Sequence, residues 1–191
     1  MKNYNIPEWV FEYGETHVSI GCVDFEQLLL GQLTPCEGGG GDKPLIFYGI
    51  DSTSVSIARC WILYQMMKNE AEPRSILQVW FSSGWTDETN RYFNQAINDL
   101  IESKLEEDEV VMILNHWKNA SIDIKKVPAL WATDLYKEER NTPFEGCANF
   151  EQEVDRIEYA RYLFTGFIFV EENKLNQGNV TMFSLPDGLD Y

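Results

Sequence analysis

The chain has 191 residues, 44% hydrophobic and 14% aromatic, which is enough apolar bulk for one domain with a sizeable core and excludes wholesale disorder. Against 31 Asp and Glu stand only 15 Lys and Arg, giving a formal net charge of −16. A surface this negative repels phosphate backbones and anionic bilayers, so nucleic acid and membranes are excluded as partners, and a basic protein or a small molecule remains.

In chain order, Met1 to Glu15 lacks the apolar core of a signal peptide. His17 to Gly21 predicts a short strand ending at a glycine. Asp24 to Leu33 predicts a helix with Phe25, Leu28, Leu29 and Leu33 on one face. Thr34 to Lys43 is a loop containing the run Gly38 to Gly41, whose backbone entropy opposes any regular element. Pro44 to Ile50, almost wholly apolar, predicts a buried parallel strand. Residues 51–54 (Asp, Ser, Thr, Ser) offer caps for a helix running to about Met67, with apolar residues over a broad arc. Pro73 breaks the chain, and Ser75 to Phe81 predicts a third strand. Ser82 to Trp85 then turns, and Thr86 caps a helix to about Leu105 with Phe93, Ala96, Ile97, Leu100 and Ile101 at the helical period.

Beyond the acidic turn Glu106 to Glu109 the alternation ends. Val110, Ile113, Leu114 and Trp117 mark a short helix, and Lys125 to Tyr136 a second. Phe150, Val154 and Ile157 begin a third, stopping near Gly166. Phe167 to Val170 and Asn179 to Ser184 predict two strands around the loop Glu171 to Gly178. The fold expected is therefore α/β, a three-layer Rossmann-like parallel sheet with a C-terminal β-hairpin. Residues 1–191 make one domain, with a Rossmann-like βαβ core at 16–105 and a helical segment plus hairpin at 106–191.

No apolar stretch reaches the ~18 residues of a membrane span. Cys22, Cys36, Cys60 and Cys147 are scattered, as reduced packing thiols of a cytoplasmic protein would be. In doubly wound sheets ligands bind at the carboxyl ends of the strands. That rim would collect Gly21 and Asp24 after the first strand, Asp51 and Ser52 after the second, and Ser82 after the third. Asp51 would hold a ribose hydroxyl, and the Gly21 loop would face the methionine part of S-adenosylmethionine. The dinucleotide fingerprint is absent, because one glycine stands where three are needed and Asp24 and Glu26 repel a pyrophosphate. A P-loop is absent too, since Asp42 precedes Lys43 and Pro44 follows it. Ser82 and Ser83 lack the preceding glycine of a nucleophile elbow. His17 and His116 do not pair for a metal, and Trp80, Trp85, Trp117 and Trp131 read as core.

Three stretches (residues 17–24, 44–51 and 54–64, with Ala58-Arg59 inside the last) and the following Ile76 to Trp80 resemble the N-terminal domain of dynein axonemal assembly factors and related domains of unknown function. The resemblance spans roughly residues 16 to 100. It implies a degenerate methyltransferase-like Rossmann fold used in assembly or scaffolding. The functional expectation is a non-catalytic Rossmann-like protein-interaction or assembly module that needs no cofactor and takes a protein partner, with a basic one favoured by charge. The alternative is an S-adenosylmethionine-dependent methyltransferase with a degenerate cofactor loop.

Overall fold

The computed structural model describes residues 16–20, 46–50, 53–103, 108–133, 153–168 and 174–189. The chain forms two compact units, Met1–Cys60 and Trp61–Tyr191. In the first, β1 (Thr16–Ile20) pairs in parallel with β2 (Ile46–Ile50), in a register that sets Thr16 opposite Ile46 and Ile20 opposite Ile50. Helix α1 (Ser54–Lys68) follows, and Thr53 Oγ1 accepts from the Ser56 amide at 3.3 Å at its start. The predicted helix 24–33 and the glycine-rich loop lie outside the described residues.

The three-layer parallel sheet is corrected at its third strand. Residues 73–81 form a helix, α2 (Pro73–Phe81), not the strand read from their apolar run. Pro73 sits in the first turn, where its missing N–H leaves no bond unmade and its fixed φ suits a helix. Ser75, Ile76, Gln78 and Val79 are the buried residues, a spacing of one, two and one that a helix face gives and a strand's alternation does not. Without that strand, the parallel pairing described is the single β1–β2 ladder.

The residues read as a turn extend instead into β3 (Gly84–Thr86), which pairs antiparallel with β4 (Leu175–Gly178). The two glycines face each other in the register. A Cβ on Gly84 would lie 2.7 Å from Ile124 Cδ1, and one on Gly178 would lie 2.7 Å from Val127 Cγ2, so the ribbon is pressed against the layer below it. The expected C-terminal hairpin is corrected as well. Asn179 to Ser184 does not form a strand, because the Asn179 side chain accepts from the Thr181 amide and caps a short helix, α7 (Val180–Phe183). The ladder partner of β4 thus lies far upstream in the chain, Gly84 standing against Gly178, and is not the adjacent segment.

Helix α3 (Asp87–Glu102) begins where the sequence places it. Thr86 Oγ1 accepts from the Thr89 amide at 3.2 Å, and Asp87 and Glu88 in the first turn face the positive end of the helix dipole. Phe93, Ala96, Ile97 and Leu100 form its buried stripe. Asn69 at the end of α1 donates to Asp99 of α3 at 2.6 Å. Helix α4 (Asp108–Asn119) buries Val110, Ile113, Leu114 and Trp117. A 3₁₀ turn (Ile124–Lys126) leads into the short α5 (Val127–Trp131), a briefer helix than the sequence suggests for 125–136, of which 134–136 lie outside the described residues. Helix α6 (Glu153–Thr165) ends at Gly166, as read. The core of this second unit holds Trp85, Trp117 and Trp131, each at most 1% exposed, with Trp85 set 4.5 Å from the Phe93 ring centre. Three of the four tryptophans expected in the core are there; Trp80 is half-buried.

Candidate functional site

Of the residues expected along the sheet rim, Gly21, Asp24, Asp51 and Ser52 lie outside the described residues. Ser82 is described and is fully buried. Its hydroxyl donates to the Gly84 carbonyl at 2.7 Å and accepts from the Ile168 amide at 3.2 Å. Because a helix leads into it, Ser82 does not stand at the end of a parallel strand. It belongs to a closed polar joint. Asn179 Nδ2 donates to Val79 O at 3.0 Å and Ser82 O at 2.7 Å, and Ser83 Oγ donates to Thr165 O at 2.8 Å. The Asn179 amide N–H reaches Ser83 O and the Ser83 N–H reaches Gly166 O. Donors and acceptors are matched inside the joint, which holds the ends of α2, α6 and β4 together.

His116, which the sequence offers no metal partner, lies in α4 with Nε2 2.8 Å from Ser184 Oγ, while Trp117 Nε1 donates to Ser184 O at 2.7 Å. Both rings grip one residue of the C-terminal segment, and the Ser184 amide is itself bonded to Val180 O. This is the geometry of a tether for residues 184–189. Among the described residues there is no group of three or more His, Cys, Asp or Glu able to hold a metal, and no helix is long and apolar enough to cross a membrane.

Two surfaces stand out among the described residues. The first is a cleft of about 600 Å³ at the start of α3. Its floor is Ser75 and Gln78 of α2 with Thr86 and Thr89 of α3's cap, and Ser75, Gln78 and Thr89 are each at most 3% exposed. Thr89 Oγ1 lies 2.6 Å from Gln78 Oε1 and 3.1 Å from Ser75 Oγ. Arg74 and Lys174 supply positive charge at the rim, and Glu72, Asp87 and Glu88 supply negative charge. Asn176 of β4 donates to Asp87 and closes one side.

The second is the outer face of α6. Helix geometry places Tyr159, Tyr162, Leu163 and Gly166 on one side and Ile157, Ala160, Arg161 and Phe164 on the other. The first side is docked: Tyr162 packs on Trp131 with ring centres 5.7 Å apart, and Trp131 Nε1 donates to Leu163 O at 3.2 Å. On the opposite side Ile157 is 53% exposed and Phe164 74% exposed, with the Arg161–Glu158 ion pair beside them at 3.1 Å. The sequence reading set Ile157 in an apolar series with Phe150 and Val154 and so missed that it faces outward. It missed Gln78 and Ser75 because both fell inside the supposed strand; their three-residue spacing within an apolar stretch was the signal for a polar helix face. Comparison with protein-family models, with curated proteins and with solved structures finds no match.

Proposed function

We propose that the protein is a non-catalytic interaction or assembly module that docks a basic, amphipathic segment of a protein partner on the outer face of α6. The observation carrying this is the exposed pair Ile157 and Phe164, seven residues apart and hence on one helical row. A half-exposed isoleucine and a three-quarters exposed phenylalanine in line offer two anchors of the spacing an amphipathic helix reads. The net charge of −16 selects the sign of the partner: it steers a basic chain inward and repels an acidic one. The adenosylmethionine alternative depended on a third parallel strand ending at Ser82, and that segment is helical.

The test is fluorescence anisotropy of a labelled Lys/Leu amphipathic 18-residue helix against the full chain at 20 to 300 mM NaCl. Binding should weaken with salt and fall at least tenfold in the double variant Ile157→Ser/Phe164→Ser, whose changes lie on an exposed face and spare the fold. Equal binding by the double variant would mean that charge alone attracts the peptide and the α6 face is not the dock. A dimer in sedimentation that the same variant dissolves would assign the face to self-association instead.

A further inference from the structure

The cleft at the start of α3 holds an anomaly that the docking reading does not use. Gln78 is 1% exposed, its Oε1 is occupied by the hydroxyls of Thr89 at 2.6 Å and Thr86 at 3.5 Å, and its Nε2 is buried without a hydrogen-bond partner. An amide nitrogen carries two donors, and a buried donor left unmet loses its hydration without a replacement bond. Turning the amide over would move the vacancy from nitrogen to oxygen without filling it, because the hydroxyls reach only one end. Buried polar groups in folded proteins are paired almost without exception, so an orphan beside a cavity points to a group that arrives from outside.

The surroundings define that group. The floor is hydroxyl and amide, with no aromatic ring among the described lining residues for a base or a sugar face to stack on. Arg74 and Lys174 line the same cleft as three carboxylates, Glu72, Asp87 and Glu88. A free phosphate would meet those carboxylates as well as the two cations, and a simple amine would meet the cations. A molecule bearing one carboxylate and one ammonium satisfies both sets. We infer that the cleft binds a free α-amino acid, with its carboxylate toward Arg74, Lys174 and the Gln78 amide and its ammonium toward the Glu72–Asp87–Glu88 side. A volume of about 600 Å³ accommodates any of the common side chains.

The experiment is a thermal-shift screen of the full chain with each of the twenty L-amino acids at 10 mM. The best ligand is followed by its two half-analogues, the acid without the amino group and the amine without the carboxyl. At least one amino acid should raise Tm by about 3 °C or more through binding to the native state, and neither half-analogue should. Arg74→Gln, at an exposed position, keeps the fold and should weaken binding at least tenfold by calorimetry; Gln78→Met should do the same if it folds. No shift from any amino acid, an equal shift from either half-analogue, or full affinity in Arg74→Gln would each overturn the assignment. The outcome is independent of the α6 face, since Ile157→Ser/Phe164→Ser should bind the amino acid unchanged.

Discussion

Two glycines with the same sign of φ separate backbone strain from crowding. Gly166 has φ +70 and Gly188 has φ +88, both in the left-handed region where a Cβ costs roughly 1–2 kcal/mol. At Gly188 an added Cβ meets nothing within 4 Å, whereas at Gly166 it would lie 2.6 Å from Ser83 Oγ and 2.7 Å from Trp131 Cδ2. Gly188→Ala should therefore destabilise by about the conformational term alone. Gly166→Ala should lose at least about 2 kcal/mol more, because Ser83 is bonded to Thr165 O and Trp131 to Leu163 O and neither can retreat cheaply. Equal losses in paired urea melts would show that the joint yields. Asn179 is the joint's other key residue. Asn179→Ala strands the carbonyls of Val79 and Ser82 and the donors of Thr181, and about 3 kcal/mol should disappear, with the urea midpoint moving and the slope unchanged. Asn179→Asp keeps the acceptor but cannot donate to either carbonyl when ionised, so it should fare no better than alanine at neutral pH.

At the scale of elements, the start of α3 and the parallel pairing of β1 with β2 were legible, and the partners of β3 and β4 were not. Thr86, the two acidic residues after it and the period of Phe93, Ala96, Ile97 and Leu100 together specify α3 from sequence, and the structure has all of them. Thr86→Ala should remove about 1 kcal/mol of stability while Thr86→Ser keeps most of it, since the serine hydroxyl reaches the Thr89 amide equally well. Loss of the same size from the serine variant would mean the methyl group's packing, not the cap, is what matters. The run Ser75 to Phe81 was misread because a short apolar run fits a buried strand and a buried helix alike, and only the company of Ser75 and Gln78 tells them apart. The ribbon of β3 and β4 was illegible for a different reason. Its strands are three and four residues long, and they meet across a chain separation that no local pattern encodes. The cleft shared that fate. Its floor comes from α2 and the cap of α3, so it could not be seen until residues 73–81 were known to be helical.

For the whole molecule the dominant long-range quantity is charge. Thirty-one carboxylates against 15 cations leave a net −16 on 191 residues, which repels itself most strongly in the compact state. Two of the described ion pairs do little to offset this. Arg91–Glu88, at 3.6 Å with both side chains more than half exposed, is worth about 0–1 kcal/mol, as is the partly exposed Arg161–Glu158. The Debye length shrinks from about 30 Å at 10 mM salt to about 8 Å at 150 mM, so added salt screens distant repulsions first and close pairs last. The melting temperature should accordingly rise by about 3 °C or more between 10 and 300 mM NaCl, a range low enough to keep specific salting-out effects small. The same additions should weaken a basic peptide's binding, because there the screened interaction is attractive. Stability and affinity thus move in opposite directions with ionic strength. A melting temperature that falls with salt would mean that short-range ion pairs outweigh the net charge, and the steering of a basic partner by that charge would lose its footing.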